Sequence, residues 1–154
     1  MAKALAAIEE HGLANIRLHM GDASDLIARL PDASLGRVDL LYPDPWPKRR
    51  QRKRRFVSDA MVAKLARIIR PGGFFHFATD IDDYSAWTLV RLRRSPAFRW
   101  TAEKATDWTV PWEGWESTRY EKKAIREGRS SAYLTFLRLP DETGPRPVRD
   151  PELL

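Results

Sequence analysis

Tyr42-Pro43-Asp44-Pro45-Trp46-Pro47-Lys48 holds the side chains best suited to chemistry in this 154-residue chain. Arg49-Arg50-Gln51-Arg52-Lys53-Arg54-Arg55 follows at once, so seven cations fall in eight positions beside one carboxylate and one indole. The three prolines fix their own φ and are expected to keep the residues before them extended, holding Asp44 and Trp46 on a stiff turn. A carboxylate fixed in this way can accept hydrogen bonds and so orient a ligand, or it can stabilise a nearby positive charge. The cations beside it suit a polyanion. The chain carries a formal charge of +6 and the run from Lys48 to Arg55 contributes +7, leaving −1 for the rest. The basicity is local, which points to nucleic acid in preference to a generally basic surface.

Arg37 to Leu41 reads as a short buried strand that ends at those prolines. In open α/β sheets ligands bind just past the carboxyl ends of strands, and that rule places Asp44 at the active-site position. Residues 1–10 are helical in composition, with Leu5 and Ile8 on one face and Gly12 as the stop. That helix opens without an N-cap or a lead-in turn, so upstream structure is expected to be missing. Asn15 to Met20 alternates apolar with polar and predicts a half-exposed edge strand, on which His19 faces outward. Gly21-Asp22-Ala23-Ser24 then opens a short helix that stops at Pro31. Asp22 is either its N-cap or a cofactor contact at a strand end.

Ser58 caps a helix with Met61, Val62, Leu65, Ile68 and Ile69 on one face, and Pro71-Gly72-Gly73 ends it. Phe74 to Ala78 is the next buried strand, and His76 within it reads as a core histidine. Thr79-Asp80 marks its carboxyl end, where a substrate would lie. Asp80, Asp82 and Asp83 open a helix that Ser95-Pro96 halts, and an acidic first turn suits the helix dipole. Phe98 to Thr101 and Ser131 to Leu139 read as the last two strands. Between them, residues 105–130 read as a loop with Trp108, Trp112 and Trp115, which either close over the core or stack on bases.

Strands alternating with helices and then two consecutive strands predict an α/β fold with a mostly parallel sheet and an antiparallel last strand. Residues 1–139 form the expected domain, and the Pro-rich, charged stretch 140–154 an expected disordered tail. With no cysteine in the sequence, disulfides and Cys-ligated zinc are excluded. No apolar run has membrane-spanning length and no signal peptide is visible, so the expected location is cytoplasmic.

Asp-Pro-Trp after a strand, the trailing Lys48 with its Arg/Lys run, Pro71-Gly72-Gly73, Ala78-Thr79-Asp80 and Thr118-Arg119-Tyr120-Glu121 form an ordered set. Together they resemble the bacterial tRNA (guanine-N7)-methyltransferases, over nearly the whole chain up to about Leu139. The resemblance implies a Rossmann-like class I methyltransferase sheet and transfer of methyl from S-adenosylmethionine, with no metal, to guanine N7 at position 46 of the tRNA variable loop. By the same resemblance Asp22 contacts the cofactor and Asp44 is the active-site aspartate beside the methyl donor. Lys48, Asp80, Thr118, Arg119, Tyr120 and Glu121 match substrate-binding positions, while Arg49, Arg50, Arg52, Lys53, Arg54 and Arg55 would hold tRNA phosphate. Guanine N7 carries an exposed lone pair, so in-line attack on a sulfonium methyl needs alignment and polar contacts and removes no proton.

The sequence contains no Gly-x-Gly. The family's first two strands and its glycine-rich cofactor loop are therefore expected to be absent. A noncatalytic tRNA-binding fragment is the alternative function, and an amino-group methyltransferase a third, since an Asp-Pro-aromatic corner also suits exocyclic amines.

Overall fold

The computed structural model describes residues 2–141, and these fall into two compact units divided after Leu30. The first unit holds α1 (Ala2–Glu10) and α2 (Ala23–Arg29). Gly12, at φ 59°, ends α1 as expected, and the Leu13 amide reaches back 2.9 Å to the Ile8 carbonyl. Residues 15–20, expected to form an edge strand, do not: they are exposed and pair with none of the described strands. Alternation supplies a face, but a strand also needs a ladder for its backbone groups, and here there is none.

The second unit runs β1 (Leu35–Leu41), a 3-10 helix (Arg49–Arg54), α3 (Asp59–Ile68), β2 (Ile69–Thr79) and α4 (Asp82–Arg94). It continues with β3 (Phe98–Trp100), α5 (Thr106–Thr109), α6 (Arg119–Arg126) and β4 (Ala132–Arg138). The sheet order is β1-β2-β4-β3. β1 and β2 are parallel, and β4 is antiparallel to both of its neighbours, so three strands share one direction and the last runs against them. This is the mixed sheet the element order predicted.

α3 forms because Ser58 caps it, its hydroxyl accepting from the Met61 amide at 3.1 Å, while Met61, Val62, Leu65 and Ile68 bury one face. β2 begins earlier than expected and runs through Pro71-Gly72-Gly73. Gly72 takes φ 79°, and a Cβ on Gly73 would lie 2.5 Å from the Gly36 carbonyl, so the two glycines let β2 pass close against β1. The pairing register shifts at this point, between Leu35 and Arg37.

Period-2 alternation then sorts β2 and β4 into two faces. Phe75 and Phe77 pair across the ladder with Phe136 and Leu134, all four fully buried, and Tyr84 of α4 meets the Phe77 ring edge-on at 5.1 Å. The opposite face carries His76 and Tyr133, against which Trp112 and Trp115 pack at 4.3 and 5.3 Å. Two of the three tryptophans thus close over the sheet, while Trp108 stays 36% exposed. His76 is buried beneath Trp112 with Nδ1 3.2 Å from Asp39 Oδ1, and burial, partly offset by Asp39, lowers its pKa.

Asp141 is the last described residue, so the expected tail lies almost wholly outside the described residues. No helix among the described residues is long and apolar enough to cross a membrane.

Candidate functional site

The register Thr79↔Ala132 brings the residues that precede β4 to the end at which β1 and β2 finish. Three chain segments therefore meet at the carboxyl ends of the parallel strands. The Tyr42 amide extends the β1 ladder by donating to the Ala78 carbonyl at 2.8 Å. Its phenol lies 2.8 Å from Ser131 Oγ, and its ring stacks on Tyr120 at 6.2 Å.

Tyr42 has φ 49° and Trp46 φ 40°. Both precede prolines, and both were expected to be extended. The left-handed region costs a bulky residue of order 1–3 kcal/mol and persists only where surrounding contacts over-determine it. Here Tyr42 is held by Ser131 and Tyr120, the Trp46 ring lies under the Arg54 guanidinium at 5.0 Å, and the Pro45 carbonyl accepts from Arg55 Nε at 2.8 Å. Asp44 sits exposed between these anchored residues, on the loop that follows β1.

Asp80, just past β2, accepts from Arg129 Nε at 2.7 Å, and Arg129 also bonds Glu127. Thr118 is the N-cap of α6, its Oγ1 accepting from the Glu121 amide at 3.1 Å. Arg119 is exposed over the Tyr120 ring, and Tyr120 is itself half exposed beside Tyr42. Glu121 points inward. Its carboxylate accepts from Trp115 Nε1 at 2.9 Å and from the Tyr133 hydroxyl. Burial works to raise its pKa, but hydrogen bonds from Ser117, Tyr133 and Trp115 outweigh it and hold the carboxyl below the usual range. Burial and the same carboxylate push the Tyr133 phenol far up, and burial also raises Tyr42, so both stay neutral hydroxyls.

A folded-state pKa below the ordinary value of about 4.3 means that Glu121 contributes stability above that value and loses it as pH falls through the folded one. Thermal melts between about pH 7 and pH 3 should therefore show a steep acid limb in the wild type. Glu121→Gln should melt lower at neutral pH and show a shallower acid limb. Parallel acid limbs in the two proteins would remove Glu121 from this account.

The basic run divides by geometry. A 3-10 helix has about three residues per turn, so side chains three apart share a row. Arg52 and Arg55 both reach Asp83, at 2.9 and 2.5 Å. Arg55, expected among the phosphate contacts, is corrected by the structure: its side chain is fully buried, bonded to Pro45 and Asp83 and seated over Tyr84 and Trp87 at 4.8 and 4.9 Å. A phosphate cannot reach it there. Arg52 is half-buried on the same carboxylate, whereas Lys48, Arg49, Arg50, Lys53 and Arg54 are exposed. Asp83, expected only to suit the helix dipole, is the anchor for this row, and the hydrogen bond from Arg55 lowers its pKa.

In the first unit, Asp22 caps α2, its Oδ1 accepting from the Ser24 amide at 2.7 Å. A cleft of about 610 Å³ beside Arg129 and Ser131 is lined in part by Trp108, Ile125 and Tyr133. Tyr42 belongs to the stretch that sequence points to but was given no role there, and Ser131 and Arg129 were given none either. The signal for Ser131 and Arg129 is the antiparallel register, which has to be known before they can be placed.

Among curated proteins, a tRNA (guanine-N(7)-)-methyltransferase of Nitrobacter winogradskyi is 62% identical over 138 residues, covering 90% of this chain and 54% of its own length. Those of Bradyrhizobium diazoefficiens and Rhizobium meliloti are 59% and 58% identical, again over 90% of this chain and over 58% and 60% of their own lengths. The chain thus spans a little over half the length of these relatives. Among solved structures, a putative DNA modification methylase from Thermus thermophilus superposes with a TM-score of 0.54 at 17% identity, covering 84% of this chain and 57% of that one. The [4+2]-cyclase SpnF gives 0.54 at 13% identity, covering 91% and 63%. These likenesses show the fold, a methyltransferase-like α/β sheet. The family model described as "Putative methyltransferase" matches residues 1–134, and the chain belongs to that family.

Proposed function

We propose that this chain carries the methyl-transfer site of an S-adenosylmethionine-dependent tRNA (guanine-N7)-methyltransferase acting at position 46 of the variable loop. The observation that carries the reading is that Asp44 and Asp80 each follow the carboxyl end of one of the adjacent parallel strands β1 and β2, where Tyr42 stacks on Tyr120. The names of the relatives agree with it.

The site's residues suit the chemistry. S-adenosylmethionine, when bound, would supply the methyl: N7 would take it with its own lone pair as the C–S bond breaks, and the purine ring would gain the positive charge that sulfur loses. Asp44 would stand beside the ring as that charge develops and stabilise it. Attack at N7 leaves the N1 and N2 hydrogens on the far edge of guanine, and a carboxylate such as Asp80 is their natural acceptor. The half-exposed Tyr120 ring offers a stacking face for the base. Asp22 would contact the cofactor, and Lys48 with Arg119 would hold substrate. Arg49, Arg50, Lys53 and Arg54, with Arg52 beside them, would contact tRNA phosphate. Tyr42 and Tyr133, both neutral, hold the site without exchanging a proton with it.

A tRNA-binding fragment without cofactor chemistry is the second reading, favoured by the exposed Lys48, Arg49, Arg50, Lys53 and Arg54, which need no cofactor to bind phosphate. Melting the chain with S-adenosylmethionine separates the two. Cofactor at about 100 times its dissociation constant should add roughly 2.7 kcal/mol to the folded state. Labelled cofactor and unmodified tRNA should then yield N7-methylguanosine, identified by mass spectrometry of the nucleosides. An unshifted melt with tRNA binding retained would select the fragment reading. A methylated exocyclic amine would replace N7 transfer with amino-group transfer.

A further inference from the structure

The basic 3-10 helix has a continuation that none of the comparisons assigns. Trp87, on α4, donates its indole N–H to the Val57 carbonyl at 2.7 Å, which fixes the ring. Two guanidinium groups lie on that one ring: Arg55 at 4.9 Å and Arg91 at 3.2 Å from its centroid. Arg91 is one helical turn beyond Trp87, and Arg94 follows it by three residues, so 87, 91 and 94 lie along one face of α4. Arg91 and Arg94, with Ser95 and with Asp59 of α3, line a groove of about 290 Å³ between the two helices. Burial lowers the Arg91 pKa, Asp59 opposes that shift, and Arg94 and Arg55 reinforce it. Asp83 serves Arg55, so Arg91 and Arg94 are gathered here with Asp59, an arrangement to which an arriving anion adds a further counter-charge.

We infer that the face of α4 carrying Arg91 and Arg94 is a second RNA contact, which takes the phosphate backbone from the 3-10 helix across Trp87 into the groove between α3 and α4. The inference rests on the tRNA reading above and extends its footprint by about 10 Å, the rise from Trp87 to Arg94. RNA backbone is the occupant because the site continues a surface already suited to it. Guanidinium groups bind phosphate oxygens in a planar fork, which suits the Arg91 and Arg94 side chains that line the groove. Arg93 sits about 200° round the helix from Arg91, off this face, and serves as an internal control.

The test is the salt dependence of binding of unmodified tRNA transcript to the 154-residue chain, between about 50 and 200 mM salt. Every phosphate that a variant no longer neutralises should flatten the slope of log K against log salt by about 0.7 to 0.9. Arg91→Gln with Arg94→Gln should flatten it by roughly 1.5, and Arg94→Gln alone by about half that. Because Arg94 is exposed, its single variant answers the question even where loss of Arg91 from Trp87 disturbs folding. Arg93→Gln should leave the slope near the wild-type value. An unchanged slope in the α4 variants, with the slope flattened in Arg49→Gln/Arg50→Gln, overturns this inference and leaves the tRNA reading standing. An Arg93→Gln effect equal to that of Arg94→Gln overturns it too, since the contact would then be diffuse. Slopes unchanged in every variant overturn the tRNA reading itself.

Discussion

Asp44→Ala is expected to lower methyl transfer to unmodified tRNA by about 10²- to 10³-fold, the usual cost of removing one polar group aimed at developing charge. The tRNA dissociation constant should stay within a few-fold of wild type, because the affinity comes from the cations and not from this carboxylate. Asp44→Asn separates two contributions. The amide keeps a hydrogen-bond acceptor in the same place but gives up the negative charge beside the purine ring. A variant close to wild type would mean that Asp44 works by orientation, and one close to alanine that it works by charge. The substitution should not disturb folding, since Asp44 is exposed and the corner is held by its neighbours: Tyr42 through Ser131 and Tyr120, and Pro45 through Arg55. Single-turnover methylation with labelled cofactor, alongside a binding titration, makes the measurement. Wild-type rates in Asp44→Ala would remove this residue from the mechanism.

Arg55→Ala should cost the fold about 2–4 kcal/mol. Removing one member of a buried ion pair costs roughly 3–5 kcal/mol, but Asp83 is 48% exposed and water takes up part of that loss. The Pro45 carbonyl loses its donor as well, and Tyr84 and Trp87 lose the guanidinium packed over them. For a chain of this size the melting temperature should fall by roughly 5–15 °C. Arg55→Lys should recover less than half of this, because one ammonium cannot serve Pro45 and Asp83 in the planar geometry the guanidinium uses. A melt unchanged in Arg55→Ala would show that the buried contacts do not hold the corner. Transfer activity at a temperature where the variant is still folded provides a second reading. The Asp44 turn hangs from the Pro45 carbonyl, so activity should fall even before the fold does.

The contrast between these two residues shows what could be read from sequence and what could not. A run of cations is easy to see, but which of them turn inward is set by a carboxylate that a distant helix supplies. In the 3-10 geometry Arg52 and Arg55 fall together on Asp83, an aspartate 28 residues beyond Arg55. α3 was legible because its N-cap and its apolar face are local, although it ends at Ile68 and the Pro71-Gly72-Gly73 expected to stop it lies within β2. β2 and β4 were legible because their apolar runs are bounded by turn residues. The stretch 15–20 carries a strand's alternation, yet a strand is a property of two chains of backbone and only one of them was on view. α6 was hidden inside what read as a tryptophan-rich loop. Thr118 with Glu121 is a capping-box pattern, and the same residues belong to the stretch that carries the family resemblance. Positive φ at Tyr42 and Trp46 overrides the ordinary rule for residues before proline, and only the tertiary contacts made by those two rings explain it.

The place of β4 in the sheet has a consequence for how the second unit assembles. Among the described strands β3 has no partner other than β4, and β4 lies between β2 and β3 although it is the last of them in sequence. β3 therefore has no ladder to join until a segment more than thirty residues later arrives and threads between it and β2. Pairings between residues so far apart along the chain make folding slow. Until β4 docks, Phe75 and Phe77 lack the Phe136 and Leu134 that cover them, and the unit passes through an interval in which its most apolar strand has an open edge. The strand that completes the proposed catalytic end, by bringing Ser131 and Arg129 to Tyr42 and Asp80, is also the one that closes this interval, so the site and the sheet are finished in the same event.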